Sequence, residues 1–141
     1  MKRLVERIEI ETFSHATESL EKVLGTISKM GVPRESIQIE HTNGHYGNEI
    51  LILRVDIKDE DDIKAFFGST LFLSIRSEIF DTLPERVDDR GFLYFRMDKQ
   101  DLFNDVYRLH DRGDIRIFVK ILAFPSNRKK VIENAKQLFG D

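Results

Sequence analysis

Two histidines and two glycines are crowded into the segment "HTNGHYGNEI", which spans residues 41–50. Imidazoles bind metal ions and transfer protons, and glycines let backbone N–H groups approach a phosphate. A zinc site needs about four ligands, and only two more histidines occur elsewhere in the chain. Gly44 and Gly47 precede a strand pattern, whereas phosphate cradles usually open a helix. The segment therefore indicates a tight connection between two strands, in which Asn43-Gly44 supplies a positive φ.

Two predicted helix starts combine a capping residue with cations, an arrangement that suits a phosphate. In "RMDKQD", Asp98 can cap a helix and place Lys99 and Gln100 beside the free N–H groups of the first turn. In "PSNRKKVIENAKQLF", Ser126 or Asn127 caps the last helix. Its first turn then holds three cations that oppose the helix dipole, namely Arg128, Lys129 and Lys130. These cations either bind phosphate or form a solvated charge run.

The composition predicts one soluble globular domain that spans residues 1–141. Hydrophobic residues make up 40% of the chain and charged residues 33%, which is typical of neither a disordered nor a membrane protein. The chain contains no cysteine, which excludes disulfides and thiolate metal sites. Charged residues interrupt the N-terminal apolar positions, and no apolar run reaches the roughly 20 residues that span a bilayer. We therefore expect a cytoplasmic protein without a membrane partner.

Charge is distributed unevenly along a chain whose net charge is −3. Residues 1–70 contain nine Lys and Arg against thirteen Asp and Glu, whereas residues 90–136 contain eleven against six. A polyanion such as RNA is therefore expected to contact the C-terminal third of the chain.

Hydrophobic periodicity predicts strands and helices that alternate within an α+β domain. Strands are predicted at residues 6–13, 36–42, 49–58, 92–97 and 114–124. Helices are predicted after Thr17, at residues 59–69 and 71–83, after Asp98, and from about residue 126 to 139. Thr17 is expected to cap the first helix, with Glu18 and Glu21 in its first turn. The segment "PERVDDRG" is expected to interrupt the regular structure.

The longer strands separate into an apolar face and a face that mixes cations with aromatic rings. In the last strand the apolar set, which helices should cover, is Ile115, Ile117, Val119, Ile121 and Ala123. The mixed face of the last two strands includes Phe92, Tyr94, Arg96, Arg116, Phe118 and Lys120. Such a face is too apolar to be left to water alone. Either a second subunit covers it, which ranks first because symmetric dimers are common, or unstacked bases stack on it.

Four segments carry a resemblance to a known family: "FSHATES", "GHYGNEI", "LYFRMDKQ" and "DIRIFVKILAFP". In their order and spacing they resemble an archaeal family of predicted RNA-binding proteins or exosome subunits. The fold of that family is similar to that of the large-subunit ribosomal protein that binds five-S RNA. The matching residues are His15, Ala16, Thr17, Glu18, Gly44, His45, Gly47, Asn48, Arg96, Asp98, Lys99 and Gln100. The chain departs from the family pattern after Gln100, where the family tends to have small residues and a glycine.

The resemblance implies a two-layer α+β domain, in which helices pack on one face of a mostly antiparallel sheet. It also implies RNA as a ligand, a homodimer, and exosome components as further partners. We therefore expect an RNA-binding protein without catalysis, cofactor or metal. The residues expected to contact RNA are Arg96, Lys99, Gln100, Arg116, Lys120, Arg128, Lys129, Lys130, His45 and Tyr94.

Two alternatives remain open at the level of the sequence. In the first, the protein is a phosphodiesterase or nuclease in which His15 and His45 act as acid and base, or hold a metal with Asp98. In the second, it is a structural dimeric adaptor that docks on another protein and has no RNA affinity.

Overall fold

The described part of the chain, residues 3–43 and 47–139 of a computed structural model, forms five strands. The strands are β1 (Val5–His15), β2 (Gln38–Asn43), β3 (Glu49–Ile57), β4 (Phe92–Met97) and β5 (Ile115–Ile121). They make one sheet with the order β2-β3-β1-β5-β4, and all four neighbouring pairs are antiparallel. The predicted α+β class with an antiparallel sheet is therefore confirmed.

The same residues form six α-helices and a short 3-10 helix at Arg34–Ser36. The α-helices are α1 (Leu20–Ser28), α2 (Glu60–Phe67), α3 (Thr70–Asp81), α4 (Leu83–Arg86), α5 (Lys99–Phe103) and α6 (Arg128–Phe139). None of the helices in these ranges is both long and apolar enough to cross a bilayer.

Helices cover the apolar face of the sheet. Ile117 and Val119 of β5 are fully buried, as is Phe95 of β4 at 1% exposure. They belong to one core cluster together with Ile27 of α1 and Phe72 of α3. Burial of each such side chain contributes about 1.5–3 kcal/mol. The strand parity in the sequence thus identifies the core face correctly. Because the helices pack on that face, the mixed face is left uncovered within the described chain.

An irregularity in β1 decides which of its residues reach the mixed face. The register between β1 and β5 shifts between Val5 and Arg7, as in a β-bulge. Because of this shift, Val5 and Ile8 both point into the core although they are three residues apart. Arg7 consequently lies on the mixed face, directly opposite Lys120 of β5.

Two helix starts differ from the sequence prediction. The cap of α1 is Ser19, whose Oγ accepts a hydrogen bond from the amide of Lys22 at 3.4 Å, so the prediction of Thr17 was wrong. The reason is that residues 15–18 form a separate turn, in which the Glu18 amide donates to the carbonyl of His15 at 2.9 Å. Helix α4 begins at Leu83 and extends into the segment predicted as irregular, because a proline fits the first turn of a helix.

The other predicted caps agree with the structure. Asp98 caps α5 through a hydrogen bond from the Asp101 amide at 2.9 Å, as predicted. Asn127 rather than Ser126 caps α6, because its Oδ1 accepts from the amide of Lys130 at 2.8 Å.

Candidate nucleic-acid interface

The uncovered face of the sheet carries a narrow strip of cations and aromatic rings on β4 and β5. We define the β4–β5 strip as the outward side chains Phe92, Tyr94, Arg96, Arg116, Phe118 and Lys120. Alternation along each strand points these six side chains away from the buried core. In this strip three positive charges and three aromatic rings therefore lie side by side.

The strip is ordered in rows that cross from β4 to β5. Arg96 lies directly opposite Arg116, Tyr94 opposite Phe118, and Phe92 opposite Lys120. The Nε of Arg96 donates to the carbonyl of Gly113 at 2.8 Å, which fixes the direction of this guanidinium. Tyr94 is 39% exposed, so its ring is open to a ligand.

Phe92 is surrounded by three cations from three different segments. The distance from its ring centroid is 5.0 Å to Nζ of Lys120, 5.7 Å to Cζ of Arg7 and 5.9 Å to Cζ of Arg90. Cation–π contacts of this kind are worth about 0.5–1 kcal/mol at exposed sites. A groove of about 540 Å³ beside Phe92 and Phe118 extends over Glu9, Glu11 and Asp56, so it reaches the carboxylates of β1 and β3.

Carboxylates border the strip on its inner side. Glu9 of β1 lies directly between Phe118 of β5 and Asp56 of β3. Glu11 lies between Arg116 and Arg54, and it accepts a hydrogen bond from Arg54 at 3.1 Å. The outer half of this face is thus cationic and aromatic, and the inner half is largely acidic.

The structure gives Lys99 a role other than the predicted contact with phosphate. Lys99 is only 7% exposed, and its ammonium donates to the carbonyl of Phe13 and, at 2.9 Å, to Oε1 of Glu18. Its backbone amide donates to Oδ1 of Asp114 at 2.7 Å. This ammonium is already bound inside the protein, so we correct the sequence prediction and remove Lys99 from the candidate RNA contacts.

The residues around Lys99 form a cluster that joins distant parts of the chain. We call Lys99, Glu18, Asp114 and the carbonyl of Phe13 the Lys99 cluster. Burial raises the pKa of Glu18, but the amide of His15 and the ammonium of Lys99 together outweigh it and hold that pKa below its ordinary value. The segments "FSHATES" and "LYFRMDKQ", which resemble the archaeal family, therefore meet here in a structural contact.

The cations at the start of α6 lie apart from the Lys99 cluster. Lys99 follows the end of β4, where Met97 pairs with Ile115, the first residue of β5. Helix α6 instead follows the last strand residue of β5, Ile121, so the two groups of cations are at opposite ends of that strand. Arg128 donates to the carbonyl of Pro84, and Nζ of Lys130 lies 3.8 Å from Glu133. Lys129 is exposed. The predicted set of RNA contacts thus separates into the β4–β5 strip, the α6 cations and Lys99.

The remaining candidate residues have mixed outcomes. Gln100 is exposed on α5. His45 lies outside the described residues. His15 is exposed at the end of β1, and Asp98 serves as the cap of α5. Among residues 3–43 and 47–139, no three His, Asp or Glu side chains gather as a metal site.

Sequence reasoning missed two cations that adjoin the strip. Arg7 could have been found, because its parity in β1 is opposite to that of Ile8 and Ile10. Arg90 lies in the turn before β4, and only the folded chain brings its guanidinium to the ring of Phe92.

A family model described as RNA binding matches residues 7–123 of this chain. The chain belongs to this RNA-binding family. The RNA-binding protein PAB1135 of Pyrococcus abyssi is 30% identical over 140 residues, which cover 92% of this chain and 90% of that protein. An uncharacterized protein of Methanocaldococcus jannaschii is 27% identical over 141 residues, which cover 92% of this chain and 94% of the other.

A solved structure of another protein shows a similar fold. The chain is similar to a DUF54 protein from Methanothermobacter thermautotrophicus, with a TM-score of 0.83 and 26% identity over 97% of this chain and 99% of that one. The resemblance to an archaeal RNA-binding family is thereby confirmed. The matched range of the RNA-binding family contains the β4–β5 strip and the Lys99 cluster. The similarity to the five-S-RNA-binding ribosomal protein and the exosome association stay predictions.

Proposed function

We propose that this member of the RNA-binding family contacts RNA through the β4–β5 strip. The observation that carries the proposal is the composition of the strip, in which Arg96, Arg116 and Lys120 alternate with three aromatic rings. Cations neutralise phosphates, and aromatic rings give bases a surface on which to stack. The exposed start of α6, with Lys129, adds longer-range attraction for the same polyanion.

The test measures RNA affinity as a function of salt for an Arg96→Ala/Arg116→Ala variant. The slope of log K against log salt should become shallower by about 0.7 if the two arginines share one phosphate, and by about 1.4 if each neutralises its own, because each phosphate contributes about 0.7 for a single strand. An Arg34→Ala/Lys64→Ala variant removes the same charge from exposed sites away from the strip, and its slope should match the wild type. An unchanged slope in the strip variant would falsify the proposed site.

The α6 cations provide a second arm of the same experiment. Replacing Arg128, Lys129 and Lys130 by alanine should flatten the slope less than the strip variant does, although it removes one more charge. The reason is that we propose the α6 cations as a source of longer-range attraction, which does not place them in contact with the phosphates.

We propose binding without catalysis, and no step of bond cleavage is assigned to any side chain. The alternative nuclease would use His15, whose loss should then abolish degradation. RNA incubated with the wild-type protein is expected to stay intact, and cleavage that disappears in a His15→Ala variant would favour the nuclease instead.

We further propose that a homodimer forms at the free edge of β2 rather than on the strip. All six residues of β2 are exposed, including Ile39 at 42%. The outer edge of β4 is instead occupied, since the amides of Asp88 and His110 donate to the carbonyls of Phe92 and Arg96, each at 2.9 Å. A lysine on an edge strand opposes pairing, so Ile39→Lys should reduce the sedimenting mass to that of a monomer. The exosome association stays a prediction from the resemblance.

A further inference from the structure

Two pairs of like charges face each other directly on the uncovered side of the sheet. Arg96 lies opposite Arg116, and Arg7 lies opposite Lys120. Like charges in directly opposed positions destabilise a sheet, so folding alone does not favour this arrangement. Each pair presents two positive charges to the same small volume of solvent, which suits a phosphate between them.

The neighbouring carboxylates compensate these cations only loosely. Arg116 lies 3.9 Å from Glu11, and Arg7 lies 3.5 Å from Glu6 and 3.9 Å from Glu9. Charge-assisted hydrogen bonds are about 2.7–2.9 Å long. The short pairs of this protein, such as Lys99 with Glu18 at 2.9 Å, meet that length. Arg96 also donates to the carbonyl of Gly113, and Lys120 to the carbonyl of Arg90, but these neutral partners do not compensate the positive charges. The four cations of the strip region therefore keep most of their charge available for an anion.

An aromatic pair occupies the space between the two cation pairs. Phe118 lies two residues along β5 from both Arg116 and Lys120. Tyr94 is directly opposite Phe118 and lies two residues along β4 from Arg96. With a rise of about 3.3 Å per residue, Arg116 and Lys120 are about 13 Å apart along β5, and Phe118 lies midway between them. An extended nucleic-acid strand along β5 can thus place phosphates on both cation pairs and bases on the rings between them.

The acidic border limits how wide the ligand can be. Neighbouring strands are about 4.8 Å apart, so the cationic part of this face is only a few strands wide. A duplex laid on it would bring its second backbone over Glu9, Glu11 and Asp56. Bases inside a duplex are also stacked on one another and cannot stack on Tyr94. Proteins that read double-stranded RNA instead contact phosphates along about 16 base pairs.

We infer that the β4–β5 strip binds single-stranded RNA, with bases on Tyr94 and Phe118 and phosphates on the two cation pairs. This inference rests on the proposed function, and it narrows the ligand from RNA in general to an unpaired segment. The sequence of that segment is not selected by the stacking contacts, because every base has an aromatic face.

Fluorescence anisotropy with a labelled, unstructured oligoribonucleotide, alone and annealed to its complement, tests the inference. The single strand should bind at least about ten-fold more tightly than the duplex at low salt. Tyr94→Ala should weaken single-strand binding by about 5- to 100-fold, and Tyr94→Phe should retain it, because stacking needs the ring and not the hydroxyl. Tyr94→Ala should leave the salt slope unchanged, since it removes no phosphate contact.

Phe80→Ala is the matched control, because Phe80 is a comparably exposed aromatic residue, 36% exposed, on α3. Thermal unfolding of each variant verifies that the fold is retained. Equal or tighter duplex binding, or unchanged affinity in Tyr94→Ala, would overturn the single-strand inference. In those cases the proposed function would still stand if the slope of log K against log salt were shallower in Arg96→Ala/Arg116→Ala than in the wild type. If neither form of RNA binds the wild-type protein at low salt, the proposed function and this inference both fail.

Discussion

The Lys99 cluster and the β4–β5 strip use the same residue types in opposite ways. Lys99 is 7% exposed and meets a carboxylate at 2.9 Å, whereas the exposed Arg116 has its carboxylate partner, Glu11, at 3.9 Å. In the cluster the charge is desolvated and its hydrogen bonds are made within the protein. In the strip the charge stays hydrated and faces another cation. Burial and pairing, and not residue type, therefore separate a structural cation from a binding cation.

The physical cost of a buried charge explains why the cluster holds the fold. Removing an ammonium from water is unfavourable unless partners replace the lost hydrogen bonds. Lys99 receives those partners from β1 and from the turn before α1, so the cluster ties both to the start of α5. A binding cation gains nothing from such partners, because they would compete with the phosphate.

The largest expected effect comes from removing Lys99. Lys99→Ala should lower the free energy of unfolding by about 1–3 kcal/mol, because Glu18 and the Phe13 carbonyl lose the ammonium they share. Urea unfolding at neutral pH measures this loss. Lys129→Ala is the matched control on an exposed helix, and it should change stability by less than about 0.5 kcal/mol.

The same variant also separates structure from binding. While folded at low temperature, Lys99→Ala should bind RNA with wild-type affinity, whereas Arg116→Ala should bind less tightly at unchanged stability. If Lys99→Ala kept its stability but lost its affinity for RNA, Lys99 would be a binding cation and not a structural one.

Local sequence patterns predict most of the fold, but they do not predict the Lys99 cluster. Strand parity identifies Ile115, Ile117 and Val119 as core, because the side chains of a strand alternate between its two faces. The partners of Lys99 are 81 and 86 residues away along the chain, so no local pattern indicates them.

The error at the first helix has the same origin. Thr17 and Ser19 are both good caps by residue type, and the sequence offers no local reason to choose Ser19. The choice follows from Glu18, whose carboxylate accepts from the His15 amide at 3.0 Å and from Lys99. A long-range ion pair thus holds the residue immediately before the observed cap.

A smaller effect is expected from the charge of Glu18, and it should depend on pH. The folded pKa of Glu18 is below its ordinary value of 4.5, so the stabilisation is complete above that pH and is lost as the pH falls through the folded pKa. Glu18→Gln should therefore cost about 1 kcal/mol above about pH 5, and progressively less in acid as the pH falls through the folded pKa. Urea unfolding across this pH range measures the difference. A cost that is the same at both ends would mean that the ion pair with Lys99 does not stabilise the fold.

The smallest effect should have the opposite sign, and it concerns the strip itself. Arg116→Gln removes one of two directly opposed cations, so it should raise the free energy of unfolding by a few tenths of a kcal/mol at low ionic strength. Its matched control is Arg108→Gln, because Arg108 donates to both carboxylate oxygens of Asp101, at 2.8 and 3.1 Å. That variant should lower the free energy of unfolding slightly, because it removes an attractive ion pair.

The salt dependence of the stability of Arg116→Gln distinguishes charge repulsion between Arg96 and Arg116 from any other cause of this small gain. The Debye length is about 10 Å at 0.1 M and about 3 Å at 1 M, so added salt should erase the difference between Arg116→Gln and the wild type. The RNA affinity of Arg116→Gln should meanwhile fall at every salt concentration at which binding is measured. If Arg116→Gln instead destabilised the protein as Arg108→Gln does, Arg116 would be a structural cation like Lys99. The directly opposed cations of the strip would then be explained by a structural role, and they would no longer indicate an anion-binding site.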